Sequence, residues 1–184
     1  MLPGASDRYY ESVHFAELAL TIPPAEDQAR YVNWYFSAHS AAYIGIFDAA
    51  KQDIEGAHSH VKFSDTPLHK ELRANSHANE FLYKDPVNAS QLYRALRNLR
   101  IHFARDMAVL EVRPISSNQP HWYVQMLDPA AYRLLRNHPL TDQQLNQYNG
   151  YLHNETIMDV FGRMLGIIRE NIVETSSLIV GKRP

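Results

Sequence analysis

The stretch Arg97-Asn98-Leu99-Arg100-Ile101-His102 puts a permanent cation, a carboxamide and a titratable imidazole within two helical turns. Arginine stays charged at any physiological pH, and histidine moves a proton near neutrality. Together they are what metal-free RNA cleavage needs: one group to hold a phosphate and one to take or give a proton. In a regular helix, five positions turn a side chain by about 140°. Arg97 and His102 therefore do not converge on one phosphate from one straight helix. Either the helix bends between them, or two copies of it meet across a two-fold axis and share the site. Both residues lie off the apolar stripe Leu92, Leu96, Leu99 and Phe103, which leaves them free to face a partner or solvent.

The chemistry that follows is a proton transfer by His102 to or from an RNA oxygen, with Arg97 neutralising the charge that builds on the phosphorus centre and Asn98 orienting the imidazole or the phosphate. Five arginines fall between Arg94 and Arg113, and Arg94, Arg100 and Arg105 are the candidates for contacts to RNA phosphates. The bland alternative is a solvated charged helix face. A net charge of -2 argues against a broadly basic nucleic-acid binder but leaves room for a local basic strip.

The bare pattern is common. With 13 arginines and 10 histidines, roughly two arginine-x4–6-histidine matches arise by chance. The chain has Arg8…His14, Arg97…His102 and Arg133…His138, and only Arg97 combines a following asparagine with a strongly periodic helix. Leu96 through Phe103 resembles the signature of the HEPN superfamily, the helical ribonuclease domains of many toxin–antitoxin, CRISPR-associated and phage-defence systems. The resemblance spans about eight residues. It implies a dimer with a composite active site, metal-independent RNA cleavage with no cofactor, catalytic roles for Arg97 and His102 with Asn98 as their polar companion, and a neutralising antitoxin as partner. Ala104 stands where one toxin branch keeps a tyrosine, which argues against that branch, and a strand pair follows the motif where simple members continue as helices.

Other chemistries have less support. His58, His60, His69 and His77, with Asp65, Glu71 and Glu80, could ligate a metal, but no Glu-x-x-His or His-Glu-x-x-His spacing occurs, and a polar surface connection is the simpler reading. There is no Gly-x-Ser-x-Gly and no Gly-rich phosphate loop. The absence of cysteine removes disulfides and thiolate chemistry. No apolar run is long enough for a membrane span, and the first residues lack a charged and then apolar leader, so a cytoplasmic location is expected. The competing function is a helical bundle that does no chemistry and serves binding or dimerisation; a histidine-rich metal protein comes third.

The frame that must position these residues reads as an all-α, HEPN-like helical bundle over 1–184, with a small β-hairpin inserted around 107–126. A first helix spans 7–20, with Tyr10, Val13 and Leu18 as contacts, and stops at Pro23-Pro24. A long helix opens at Pro24 or Ala25 and runs to Gly56 on a face of Tyr31, Trp34, Tyr35, Ala38, Ala42 and Ile46, with the three aromatics read as core before base-stacking. Asp65-Thr66 starts a short helix to Leu82, and Asp85-Pro86 starts the motif helix, 86–105. Strands follow near 107–113 and 121–126, then a helix over 129–137. Thr141 caps a last helix over 142–175, kinked near Gly150, whose stripe is Leu145, Tyr148, Leu152, Phe161, Met164, Leu165, Ile168 and Ile172. Residues 176–184 read as a patternless, flexible tail.

Overall fold

Proline can start a helix because its missing N–H has no intrahelical partner in the first turn, and Pro3 does so here. The first helix, α1 (Pro3–Leu20), begins four residues earlier than the sequence suggests. Its first turn is completed from a distance: the Ala5 N–H donates to Asp53 Oδ2 at 3.1 Å, so a carboxylate of the next helix caps the positive end of the helix dipole. This computed structural model describes residues 2–58, 60–66, 68–84, 92–94, 96, 110–114, 120–125, 140–166 and 168–180.

After a 3-10 turn over Glu26–Gln28, the 29-residue α2 (Ala29–Ala57) runs antiparallel to α1, since Ala5 meets Asp53 while Ser12 meets His39. Small residues permit the close approach. A side chain on Gly45 would come within 3.3 Å of the Arg8 side chain. The buried face of α2 is Val32, Phe36, His39, Tyr43, Ile46, Phe47, Ala50 and Ile54. This bears out Ile46 and, beside it, the buried Ala42 of the face read from sequence, and corrects its aromatic half. Trp34 is 49% exposed, and Tyr31 and Tyr35 are only partly covered; Tyr10 of α1 is exposed as well, while Ala5, Ser12, Ala16 and Ala19 face inward.

The expected single helix up to Leu82 is broken into α3 (His69–Ala74), α4 (Ser76–Asn79) and a π-helical turn over Glu80–Lys84. Asn75 is extended and accepts from the Ala78 N–H at 3.0 Å, so it ends one helix and starts the next. Thr66 does not cap α3; its hydroxyl turns back to the Phe63 carbonyl. Residues 92–94 and 96 are helical, with Leu92 and Leu96 buried at 2% and 0% exposure.

The hairpin is present as β1 (Leu110–Pro114) and β2 (Pro120–Val124), antiparallel, with Val112 opposite Trp122 and Arg113 opposite His121. Trp122 and Val124 turn toward the core; alternation then puts Glu111, Arg113, His121 and Tyr123 on the other face. The hairpin is tied down by the Trp122 indole N–H donating to the Ile22 carbonyl at 3.3 Å, and by main-chain bonds between Val124 and residues 154–155.

Thr141 does open a helix, with a full capping box to Gln144. The long final helix, however, is interrupted: α5 (Asp142–Tyr151) ends before α6 (Ile157–Gly166), and residues 168–180 are again helical as α7 (Ile168–Val180). The break lies at 152–155, where Asn154 adopts φ 66°, rather than at Gly150. The Thr156 hydroxyl accepts from the Asp159 N–H at 3.0 Å and caps α6. The predicted stripe is otherwise buried as read, except the half-covered Leu165. Residues 176–180, expected in a flexible tail, are the last turns of α7, anchored by Ile179. The expected helix at 129–137 and the residues 107–109, 126 and 181–184 lie outside the described residues.

Candidate functional site

The segment that precedes the arginine–histidine stretch docks on the middle of α2. Leu92 and Leu96 are buried, and the Tyr93 ring meets Tyr43 edge-on at 5.6 Å between centroids. Burial pushes the Tyr93 hydroxyl strongly up from its ordinary pKa, so it stays protonated and acts as a packing group. Arg94 faces outward and pairs with Asp48 of α2 at 3.2 Å. Both partners are about half exposed, at 42% and 56%. An ion pair so wetted contributes about 0–1 kcal/mol. The guanidinium is thus presented, not consumed, and a phosphate can replace Asp48 as its partner. Arg94 is the one candidate RNA contact among the described residues. Arg97, Asn98, Arg100, His102 and Arg105 lie outside them.

Asp48 also borders an open groove of about 470 Å³ between α1 and α2. Ala38, Ala41, Ala42, Gly45 and Ala49 form its floor, and Arg8 and Glu11 stand on its α1 wall. Arg8 pairs with Glu11 at 2.5 Å, and His14, six positions on and about 120° around α1, is exposed on another face, so the Arg8…His14 pattern does not converge on one site.

A histidine that the sequence did not single out sits at the centre of the bundle. His39 is fully buried between α1, α2 and α6. Its Nδ1 lies 2.9 Å from the Ser12 carbonyl oxygen and 3.0 Å from Ser12 Oγ, and its Nε2 faces Met164 Sδ at 3.3 Å. The serine–histidine distance matches that of a nucleophile and its base, yet the site is not one. The Ser12 hydroxyl donates to the His39 carbonyl, and both residues are at 0% exposure, closed to substrate. Burial depresses the imidazole pKa from 6.5 to about 4, with the Ser12 carbonyl opposing, so His39 is a neutral polar strut at neutral pH. Its only sequence signal was its place in the Val32–Phe36–His39–Tyr43 period.

The histidines at 58–77 do not assemble into a metal centre among the described residues, where no three His, Asp or Glu side chains come together. His60 holds a positive φ of 61° at the end of α2. His69 is engaged by the Tyr83 hydroxyl at 2.9 Å from Nδ1, beside Phe63, which pins the π-helical turn to α3. Burial raises the Tyr83 pKa against the opposing effect of Arg73.

Compared with family models, with curated proteins and with solved structures, the chain matches none.

Proposed function

We propose that this chain is a metal-independent endoribonuclease of the HEPN type, acting as a cytoplasmic homodimer in a toxin or anti-phage role and held in check by a neutralising protein. His102 takes the proton from a ribose 2′-hydroxyl, whose oxygen attacks the adjacent phosphorus. The bond from phosphorus to the 5′-oxygen breaks, the 5′-oxygen regains a proton, and a 2′,3′-cyclic phosphate remains. Arg97 stabilises the charge on the pentacoordinate phosphorus, and Asn98 orients the imidazole. Arg94, Arg100 and Arg105 hold flanking phosphates. Since the 2′-hydroxyl is the nucleophile, DNA is not cut.

The observation that carries this reading is the docking of residues 92–94 and 96. Their leucines are buried on α2 while Arg94 stays half exposed against a replaceable partner. Two leucines of the predicted stripe, Leu92 and Leu96, pack as the sequence requires next to a cation turned outward, which supports the reading of a helix leading into the motif. The test is incubation of purified chain with labelled RNA in excess chelator, beside Arg97→Ala and His102→Ala. Cleavage to cyclic-phosphate ends by the parent, with at least a hundredfold loss in both variants, is the expected result. Equal activity in parent and variants overturns it.

A second reading draws on the groove beside α1 and α2: a bundle that does no chemistry and binds a partner there. It predicts no chelator-resistant cleavage by the parent, and partner or self-association that Gly45→Leu abolishes.

A further inference from the structure

The start of α2 spends a tryptophan on the surface. Trp34 lies about half a turn from the buried Val32 and Phe36, on the opposite side of α2, and is 49% exposed. Tyr31 meets it edge-on, 5.1 Å between ring centroids. The Arg30 guanidinium lies 4.7 Å from the Tyr31 ring centre and donates to the Tyr31 hydroxyl at 2.8 Å. The three side chains thus form one ordered cluster in which the two rings, at 82° to each other, present separate faces beside a planar cation. The hairpin docks at the same end of the bundle, where α1 passes into α2, through Trp122 on Ile22. Its outer face repeats the arrangement, with the Arg113 guanidinium 5.3 Å from the Tyr123 ring centre.

We propose that this end of the molecule is a stacking platform for unpaired bases of single-stranded RNA, with Trp34 and Tyr31 as the principal rings. The inference rests on the ribonuclease reading for its choice of ligand and says where the substrate strand lies. Aromatic faces bind any base and guanidinium adds to the stack, whereas a duplex keeps its bases out of reach. Charge does not carry the contact. Arg113 is paired with Glu111, and Asp27 lies three residues before Arg30, so the platform is close to neutral. Binding should therefore depend weakly on salt, with a log–log slope no steeper than about -1.5 if two arginines each meet a phosphate.

The chain carries only two tryptophans, and Trp122 is buried, which makes Trp34 a built-in probe. The experiment titrates His102→Ala protein, with its cleavage residue removed, with a fluorescein-labelled 12-nucleotide single strand and with the same sequence as a duplex. Anisotropy and tryptophan quenching are read together at several salt concentrations. The expected result is single-strand preference, quenching of Trp34, and affinity lowered roughly five- to a hundredfold by Trp34→Ala but kept by Trp34→Phe. Unchanged affinity in Trp34→Ala, duplex preference, or a slope steeper than -3 overturns the platform. So does loss of self-association in Trp34→Ala with RNA affinity intact, which makes the surface a protein contact. The two ideas fail separately: cleavage by the parent with no Trp34 effect sinks only the platform, and Trp34-dependent binding without cleavage by the parent sinks only the nuclease.

Discussion

His39 shows what one side chain in the wrong dielectric does to a bundle. Ordinary core positions of α2 hold Phe36, Tyr43 and Phe47; at 39 a polar ring contacts the Ser12 carbonyl and Met164, linking three helices through one residue. With Nδ1–H donated to the Ser12 carbonyl, Nε2 is left against a weakly polar sulfur, and the ring is buried, where a second proton's charge is poorly solvated. Hence the depressed pKa of about 4. The unfolded chain, with the ordinary value of 6.5, takes up the proton first as pH falls. The contribution of neutral His39 is therefore fully present above about pH 6.5 and is lost between there and about pH 4. A gap of that size corresponds to roughly 3 kcal/mol. Urea denaturation at pH 7, 5.5 and 4 should show His39→Gln with a shallower loss than the parent over that window. Parallel losses would mean that His39 titrates alike in both states. The contrast with Arg94 and Asp48 is one of solvent: their pair is wetted, worth about 0–1 kcal/mol, and exchangeable.

Among elements, α5 depends most visibly on its first residue. The Thr141 hydroxyl accepts from the Gln144 N–H at 3.2 Å while the Gln144 side chain accepts from the Thr141 N–H at 2.9 Å. Thr141→Ala removes one of these bonds and should lower stability by about 1 kcal/mol, read as a shift in the urea midpoint at constant slope. Serine at the same place should keep most of it. That cap was legible because its chemistry is local: the residue, its spacing to Gln144 and the apolar run behind it are all in the sequence. The hairpin was legible for the same reason, with β-branched and aromatic runs flanked by turn formers. The break in the last helix was not. Leu152-His153-Asn154-Glu155 contains neither Gly nor Pro, and the stop comes from main-chain bonds to Val124 of β2, a contact with the far side of the sequence. The first turns of the α2 face differ from the sequence reading because Tyr31, Trp34 and Tyr35 fit the 3.6-residue period as well as Val32, Phe36, His39 and Tyr43 do, whereas Ala42 and Ile46 are buried as read. Periodicity gives a stripe's spacing, and what packs on it chooses among stripes. The candidate site divides likewise. The type and order of Arg97, Asn98 and His102 are in the sequence, while the pairing of Arg94 with Asp48, 46 residues apart, needed the fold.

At the scale of the whole molecule, the proposed site asks for two copies of the chain. Five helical positions separate Arg97 from His102, about 140° around an axis, so a straight helix offers them to different neighbours. A two-fold axis beside that helix brings the arginine of each copy toward the histidine of the other. This makes a prediction that a site within one chain does not share. Arg97→Ala protein keeps its histidine, and His102→Ala protein keeps its arginine. Mixed in equal amounts after unfolding and refolding together, half of the dimers are mixed, and each mixed dimer has one of its two sites intact. Activity should return to roughly a quarter of the parental level although neither variant cleaves alone. The recovery should vanish when the two are combined on one chain, as Arg97→Ala with His102→Ala, and co-refolded with either single variant, since no pairing then rebuilds a complete site. If the mixture stays as inactive as its parts while sedimentation shows mixed dimers, the cation and the base act from the same chain, and the helix must bend to let them meet.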